Sequence, residues 1–273
     1  MNTEVDFRLA GGQQPLILLP TFVNKKGPYQ FILDTGAGTS LLAPQLAENL
    51  GVAITETKEG TGAGGKLKVS LGNVESLAIG DAELNNVQVA ITDDINRIAT
   101  AIGAKVDGDI GYNYLKFFQL TIDYQTHILR LTADPVKQSS SVRREIKFKL
   151  AKIGKPLIVV AATVNGKGPY QFAVDTGAST TVISLELAES LALQSQAMPA
   201  MIGAGGTVQT SVSAIESLTI GDIEVNHLTV MISDFLSMLS QAIATKIDGI
   251  VGYNYLKAFR VTIDYPNEVI RLE

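Results

Sequence analysis

The sequence is one unit written twice. GPYQFILDTGAGT at Gly27–Thr39 returns as GPYQFAVDTGAST at Gly168–Thr180, and DGDIGYNYLK at Asp107–Lys116 returns as DGIVGYNYLK at Asp248–Lys257. TIDY at Thr121–Tyr124 returns at Thr262–Tyr265. The offset never changes: 175 − 34, 252 − 111 and 262 − 121 are each 141. It holds from Phe7/Phe148 to Leu131/Leu272 without insertion or deletion, and about two positions in five are identical. Shared propensity alone does not produce that agreement. The period is too long, and two copies are too few, for a solenoid, so a whole lobe has been duplicated. The lobes are expected over residues 1–132 and 145–273. Between them, 133–144 is polar, contains Pro and a Ser run, and reads as a linker.

Within each lobe the patterning is that of strands. Val5–Leu9 and Ile146–Leu150 alternate apolar with polar residues. PLILLPTFVNKKGPYQFILD places two apolar runs around an Asn-Lys-Lys-Gly-Pro turn, a hairpin signal that PLIVVAATVNGKGPYQFAVD repeats. Gly80-Asp81 and Gly221-Asp222 mark a second turn. Short helices fit Pro44–Leu50 and Leu185–Leu191, where leucines sit four apart, and a second pair is expected at Ile95–Lys105 and Leu236–Lys246. The fold class is therefore mainly β with small helices.

Composition removes several kinds of chemistry. There is no cysteine, hence no disulfide, thiol nucleophile or Cys-ligated zinc. A net charge of −5 and the lack of any Lys/Arg cluster argue against a nucleic-acid partner. No apolar run approaches the ~18 residues of a membrane span. MNTEVDFRLAGGQQ at the N-terminus shows no signal-peptide pattern, which makes the cytoplasm the default location unless a leader has been removed. His127 and His227 stand at non-equivalent positions, so neither a metal set nor the base of a Ser-His-Asp triad is visible. GTGAGGK at Gly60–Lys66 fails as a phosphate loop because Leu67 stands where a hydroxyl belongs and a strand follows. No metal and no cofactor is expected.

What remains is a pair of Asp-Thr-Gly tripeptides, Asp34-Thr35-Gly36 and Asp175-Thr176-Gly177, each ending an apolar run. One such tripeptide is an ordinary turn, in which Asp accepts backbone N–H bonds. Two at equivalent positions of a duplicated lobe can meet at the axis relating the copies. Carboxylates held together cannot both ionise cheaply and share one proton, behaviour well known from aspartic peptidase dyads. One can then draw a proton from water while the other polarises a carbonyl. Paired carboxylates also hydrolyse glycosides, but a chain without Trp and with 6% aromatic residues lacks a sugar-stacking platform. Asp107/Asp248 and Asp123/Asp264 also recur and read as structural, the first pair as turn residues before Gly.

The chain resembles the aspartic peptidases, and among them the retroviral-protease-like (retropepsin) branch. The marks are the Asp-Thr-Gly-Ala loops Asp34–Ala37 and Asp175–Ala178, then Gly62-Ala63-Gly64-Gly65 and Gly203-Ala204-Gly205-Gly206, then Ile110-Gly111 and Ile250-Val251-Gly252. Both copies carry them in the family order, over nearly the whole chain. The resemblance implies a bilobal acid-protease fold, two retropepsin-like β lobes related by a pseudo-two-fold. It implies catalytic Asp34 and Asp175, with Thr35 and Thr176 bonded across the axis. Gly36, Ala37, Gly177 and Ala178 would support the dyad, and the Gly-rich stretches would be flaps over an extended peptide or protein substrate. Asp109, Ile110, Ile250 and Val251 would line pockets. Fused lobes remove the need for a second chain, so a monomer is expected.

Two departures from the family pattern matter. Alanine at 37 and 178 replaces the hydroxyl residue of pepsin-like enzymes, removing a donor to the charged carboxylate, so an optimum less acidic than pepsin's is expected. Asp109 stands where the other lobe has Ile250, and is expected to favour a basic or polar substrate side chain unless it merely faces solvent. The rival to an aspartic endopeptidase is a silent peptide-binding scaffold of the same fold.

Overall fold

The computed structural model describes residues 1–62, 64–133, 145–151 and 156–273. The expected linker lies outside the described residues except for Ala133, and so does the flap residue Ala63.

Each lobe is an eight-stranded sheet, and the two sheets match strand for strand. In lobe one the order is Arg8–Ala10, Leu16–Val23, Lys26–Leu33, Gly108–Ile110, Leu41–Leu42, Ala82–Ile91, Gly65–Ile79 and Ile54–Gly62. In lobe two it is Lys149–Leu150, Ile158–Val164, Lys167–Val174, Gly249–Val251, Val182–Ser184, Ile223–Ser233, Gly206–Ile220 and Gln196–Gly203. A further pairing in each lobe, Phe22 with Ala78 and Ala162 with Ile220, curls the sheet back on itself.

The turn chemistry explains the hairpins. Val23 pairs with Lys26 across Asn24 and Lys25, both at positive φ (51° and 60°). A two-residue turn of this hand matches the strand twist, and Asn tolerates it well. In the second copy Asn165-Gly166 does the same at 51° and 72°. Gly80 and Gly221, at 54° and 63°, turn the next hairpins, closing Ile79 on Ala82 and Ile220 on Ile223.

A third sheet joins the lobes. Its order is Asn2–Asp6, Ile128–Thr132, Gln119–Asp123, Arg260–Asp264, Val269–Leu272, Glu145–Lys147, three strands from each copy. The central antiparallel pair sets Thr121 opposite Thr262, with their hydroxyls 3.0 Å apart. These residues are equivalent in the repeat, so the pseudo-two-fold axis runs between them. The main core draws on both copies, including Leu120, Ile122, Val261 and Ile263, all fully buried. The lobes are thus joined by backbone pairing as well as by apolar packing.

The helices are short. Pro44–Asn49 and Leu185–Ser190 bury Leu46/Ala47 and Leu187/Ala188. The second pair is Asp94–Ile102 and Phe235–Ala242, ending earlier than the sequence suggests. Gly103 stops the first in a left-handed cap at φ 64°. In the second, Ser240 Oγ donates to Leu236 O and accepts from Ile247 N–H at 2.9 Å, which turns the chain away from the helix. Single-turn helices at Tyr112–Leu115 and Tyr253–Leu256 follow the Ile-Gly and Val-Gly steps. Four residues cannot hold a helix alone. Fully buried Tyr114 and Tyr255 hold these in place: Tyr114 Oη donates to Ala82 O and accepts from Ile79 N–H, and Tyr255 Oη donates to Ile223 O.

Candidate active site

Strands Lys26–Leu33 and Lys167–Val174 end where Asp34 and Asp175 begin their loops. The threonine hydroxyls stitch those loops together. Thr35 Oγ1 donates to Val174 O and accepts from Thr176 N–H, both at 3.0 Å. Thr176 Oγ1 donates to Leu33 O at 2.7 Å and accepts from Thr35 N–H at 3.1 Å. At 1% and 2% exposure, these hydroxyls have no water to replace those bonds.

The same crossing brings the carboxylates together. Asp34 Oδ1 accepts from the N–H groups of Gly36 (2.7 Å) and Ala37 (3.0 Å), and Asp175 Oδ1 accepts from Gly177 N–H at 2.8 Å. Each carboxyl then lies over the glycine of the opposite loop. A Cβ on Gly36 would stand 2.6 Å from Asp175 Cγ, and one on Gly177 would stand 2.6 Å from Asp34 Cγ. No other residue type fits there. Both aspartates also act on one buried phenol. Burial pushes Tyr265 well above the usual tyrosine range, and the charge of Asp34 and, more weakly, of Asp175 pushes it further.

The triplets Asp109-Ile110-Gly111 and Ile250-Val251-Gly252 buttress the loops from below. Asp34 N–H donates to Ile110 O (3.1 Å) and Asp175 N–H to Val251 O (3.0 Å). Tyr112 and Tyr253 N–H return bonds to Ala37 O and Ala178 O, both at 2.8 Å. A polar network not assigned from sequence locks this arrangement. Asn113 Oδ1 accepts from Ser40 N–H and Oγ, whose hydroxyl accepts from Gly111 N–H. Asn254, Thr181 and Gly252 repeat it. The signal was present in the sequence, as an Asn retained in both GYNYLK copies. Asp107 and Asp248 also differ from expectation. Each is buried, accepts from the backbone of Gln30 or Gln171, and pairs with Lys105 or Lys246. These acids fasten neighbouring strands and do not form turns.

The Gly-rich stretches are the tips of two long hairpins, closed by Gly62 on Gly65 and Gly203 on Gly206. The tips meet: Gly64 N–H donates to Ala204 O at 2.7 Å. Side chains on Gly62, Gly64 or Gly205 would collide with backbone of Ala204, Gly206 or Gly65 of the opposite tip, which accounts for the glycine richness. Asp94, also unforeseen, reaches across from lobe one to accept from Gly205 N–H at 2.8 Å.

Between the lobe-one hairpin tip and the paired carboxyls lies a pocket of about 60 Å3, bounded by Gly62, Gly36 and Asp175 and walled by Leu157, Ala173, Phe235, Leu239 and Ile250. Asp109 occupies the position equivalent to Ile250 and is 3% exposed, so it does not face solvent. Among the described residues, no group of three or more His, Cys, Asp or Glu is placed to hold a metal ion, and no helix is long and apolar enough to cross a membrane.

Two alike β lobes, with their Asp-Thr-Gly loops meeting at a pseudo-two-fold axis under paired hairpins, define the bilobal acid-protease class. The aspartyl protease family model matches the chain twice, over residues 19–114 and 160–255, and the chain belongs to that family. The two matches are themselves offset by 141 residues (160 − 19), one per lobe. Comparison with curated proteins finds no match.

Proposed function

We propose that this protein is an aspartic endopeptidase in which Asp34 and Asp175 share one proton and activate a water between them. The observation that carries this reading is the reciprocal seating of each carboxyl on the other loop's glycine. In that arrangement the ionised partner serves as general base toward water, and the protonated partner polarises the scissile carbonyl. The substrate is an extended peptide, bound by backbone bonds beneath the flap tips. The walled pocket beside Asp175 takes an apolar side chain. One chain supplies both halves of the site, so a monomer suffices.

Turnover of a mixed peptide library by wild type, Asp34→Asn and Asp175→Asn tests this. Cleavage by wild type and its loss in both variants is the expected result. Peptide binding without cleavage by wild type would establish the scaffold reading instead. The pH–rate profile is expected to peak at less acidic pH than pepsin's, since Ala37 and Ala178 bring no hydroxyl to the carboxylates. A maximum as acidic as pepsin's would contradict that.

A further inference from the structure

Two flap amides that are equivalent in the repeat, Gly64 and Gly205 (205 − 64 = 141), are bonded differently. Gly64 N–H donates to a neutral carbonyl, that of Ala204, on the opposing flap. Gly205 N–H donates to Oδ2 of Asp94, in the first turn of helix Asp94–Ile102 of the other lobe. Asp94 is 4% exposed, and its Oδ1 accepts from Arg97 Nη1 at 3.1 Å, which balances its charge and holds its rotamer. The duplication supplies an internal control. The residue equivalent to Asp94 is Phe235 (235 − 94 = 141), which has no acceptor and lines the apolar pocket beside Gly62.

We propose that Asp94 is a positioning residue that pins the lobe-two flap, leaving the lobe-one flap as the one that lifts to admit peptide. The peptide half of this statement rests on the endopeptidase reading; the pinning does not. Raising the lobe-one hairpin breaks the neutral Gly64–Ala204 bond. Raising the lobe-two hairpin breaks that bond and also the charge-assisted one to Asp94. Charge-assisted hydrogen bonds are roughly twice as strong as neutral ones. A symmetric pair of lobes thereby acquires one fixed and one moving cover.

Residue-resolved amide hydrogen exchange on the full chain tests the pinning without any turnover. In wild type, Gly205 N–H is expected to exchange about tenfold more slowly than Gly64 N–H. Asp94→Asn, which leaves a neutral acceptor, should bring Gly205 close to the rate of Gly64, and Asp94→Ala and Asp94→Phe, which leave none, should bring it to that rate or beyond. Should Asp94→Ala not fold, Phe235→Asp gives the converse test and is expected to slow Gly64. Equal exchange at the two glycines in wild type, or an unchanged Gly205 rate in folded Asp94→Ala, overturns the proposal. With a cleaved peptide in hand, Asp94→Ala should raise KM about tenfold at little change in kcat, and Asp94→Asn should recover only part of that loss. A wild-type protein that cleaves nothing refutes the endopeptidase reading and leaves the exchange result standing.

Discussion

Thr35 and Thr176, 141 residues apart, exchange backbone-to-hydroxyl bonds in both directions across the pseudo-two-fold axis. Each hydroxyl also donates to the strand end that carries the other lobe's aspartate, at Val174 O and Leu33 O. The positions of Asp34 and Asp175 are therefore not independent.

Truncating either threonine tests that coupling. Thr35→Ala strips partners from Val174 O and Thr176 N–H in a buried setting, and is expected to cost about 2 kcal/mol in urea unfolding. Thr35→Ser, which keeps the hydroxyl, should recover most of it. An alanine variant as stable as wild type would show that the crossed loops hold without these bonds.

Adding one methyl group at the axis should separate catalysis from folding. A Cβ at Gly36 or Gly177 meets the opposing carboxyl at 2.6 Å from Cγ, so Gly36→Ala and Gly177→Ala must push Asp175 or Asp34 aside. A misplacement of about 1 Å costs on the order of a hundredfold in rate. Circular dichroism should remain that of wild type while peptide turnover falls by at least that factor. Full activity in either variant would mean the carboxyls do not need this seating.

Specificity should be unequal on the two sides of the dyad. Asp109 is buried at the position where lobe two places Ile250 in an apolar wall. We expect wild type to favour a basic or polar side chain on the lobe-one side, and Asp109→Ile to reduce that preference about tenfold in kcat/KM, the size of one charged hydrogen bond. Cleavage-site mapping of a peptide library reads this directly. Identical site preferences in the two proteins would remove Asp109 from any role in selection.

Alkaline stability follows from the buried phenols. Burial raises Tyr114, Tyr124, Tyr255 and Tyr265 above their ordinary value of 10.0. In the unfolded chain these groups ionise above that pH, while in the native state they keep their protons. Their contribution is intact below it and is lost as pH climbs beyond it. Each tyrosine removes up to about 1.4 kcal/mol of stability per pH unit. Urea midpoints across that range should be level at first and then fall, less steeply in Tyr265→Phe. Because Tyr265 Oη is buried without a hydrogen-bond partner among the described residues, Tyr265→Phe should be no less stable than wild type at neutral pH.

The constant offset determined a great deal by itself. It established two lobes, made the Asp-Thr-Gly tripeptides equivalent, and with the turn residues at Asn24, Gly80, Asn165 and Gly221 gave the hairpins their places. Helix ends were less legible, because Ser240 stops its helix by bonding Ile247, a partner that helical spacing does not reveal. The Thr35–Thr176 crossing was implied by the resemblance and the repeated Asn113 and Asn254 left a trace in the sequence, but the partners of all four came from the tertiary structure, and the reach of Asp94 to Gly205 belonged to it alone. A repeat specifies which residues are equivalent. Which of them touch depends on how the shared six-stranded sheet sets one lobe against the other, and it is there that Asp94 and Phe235, equal in position, come to differ, one accepting from Gly205 N–H and the other lining the pocket beside Gly62.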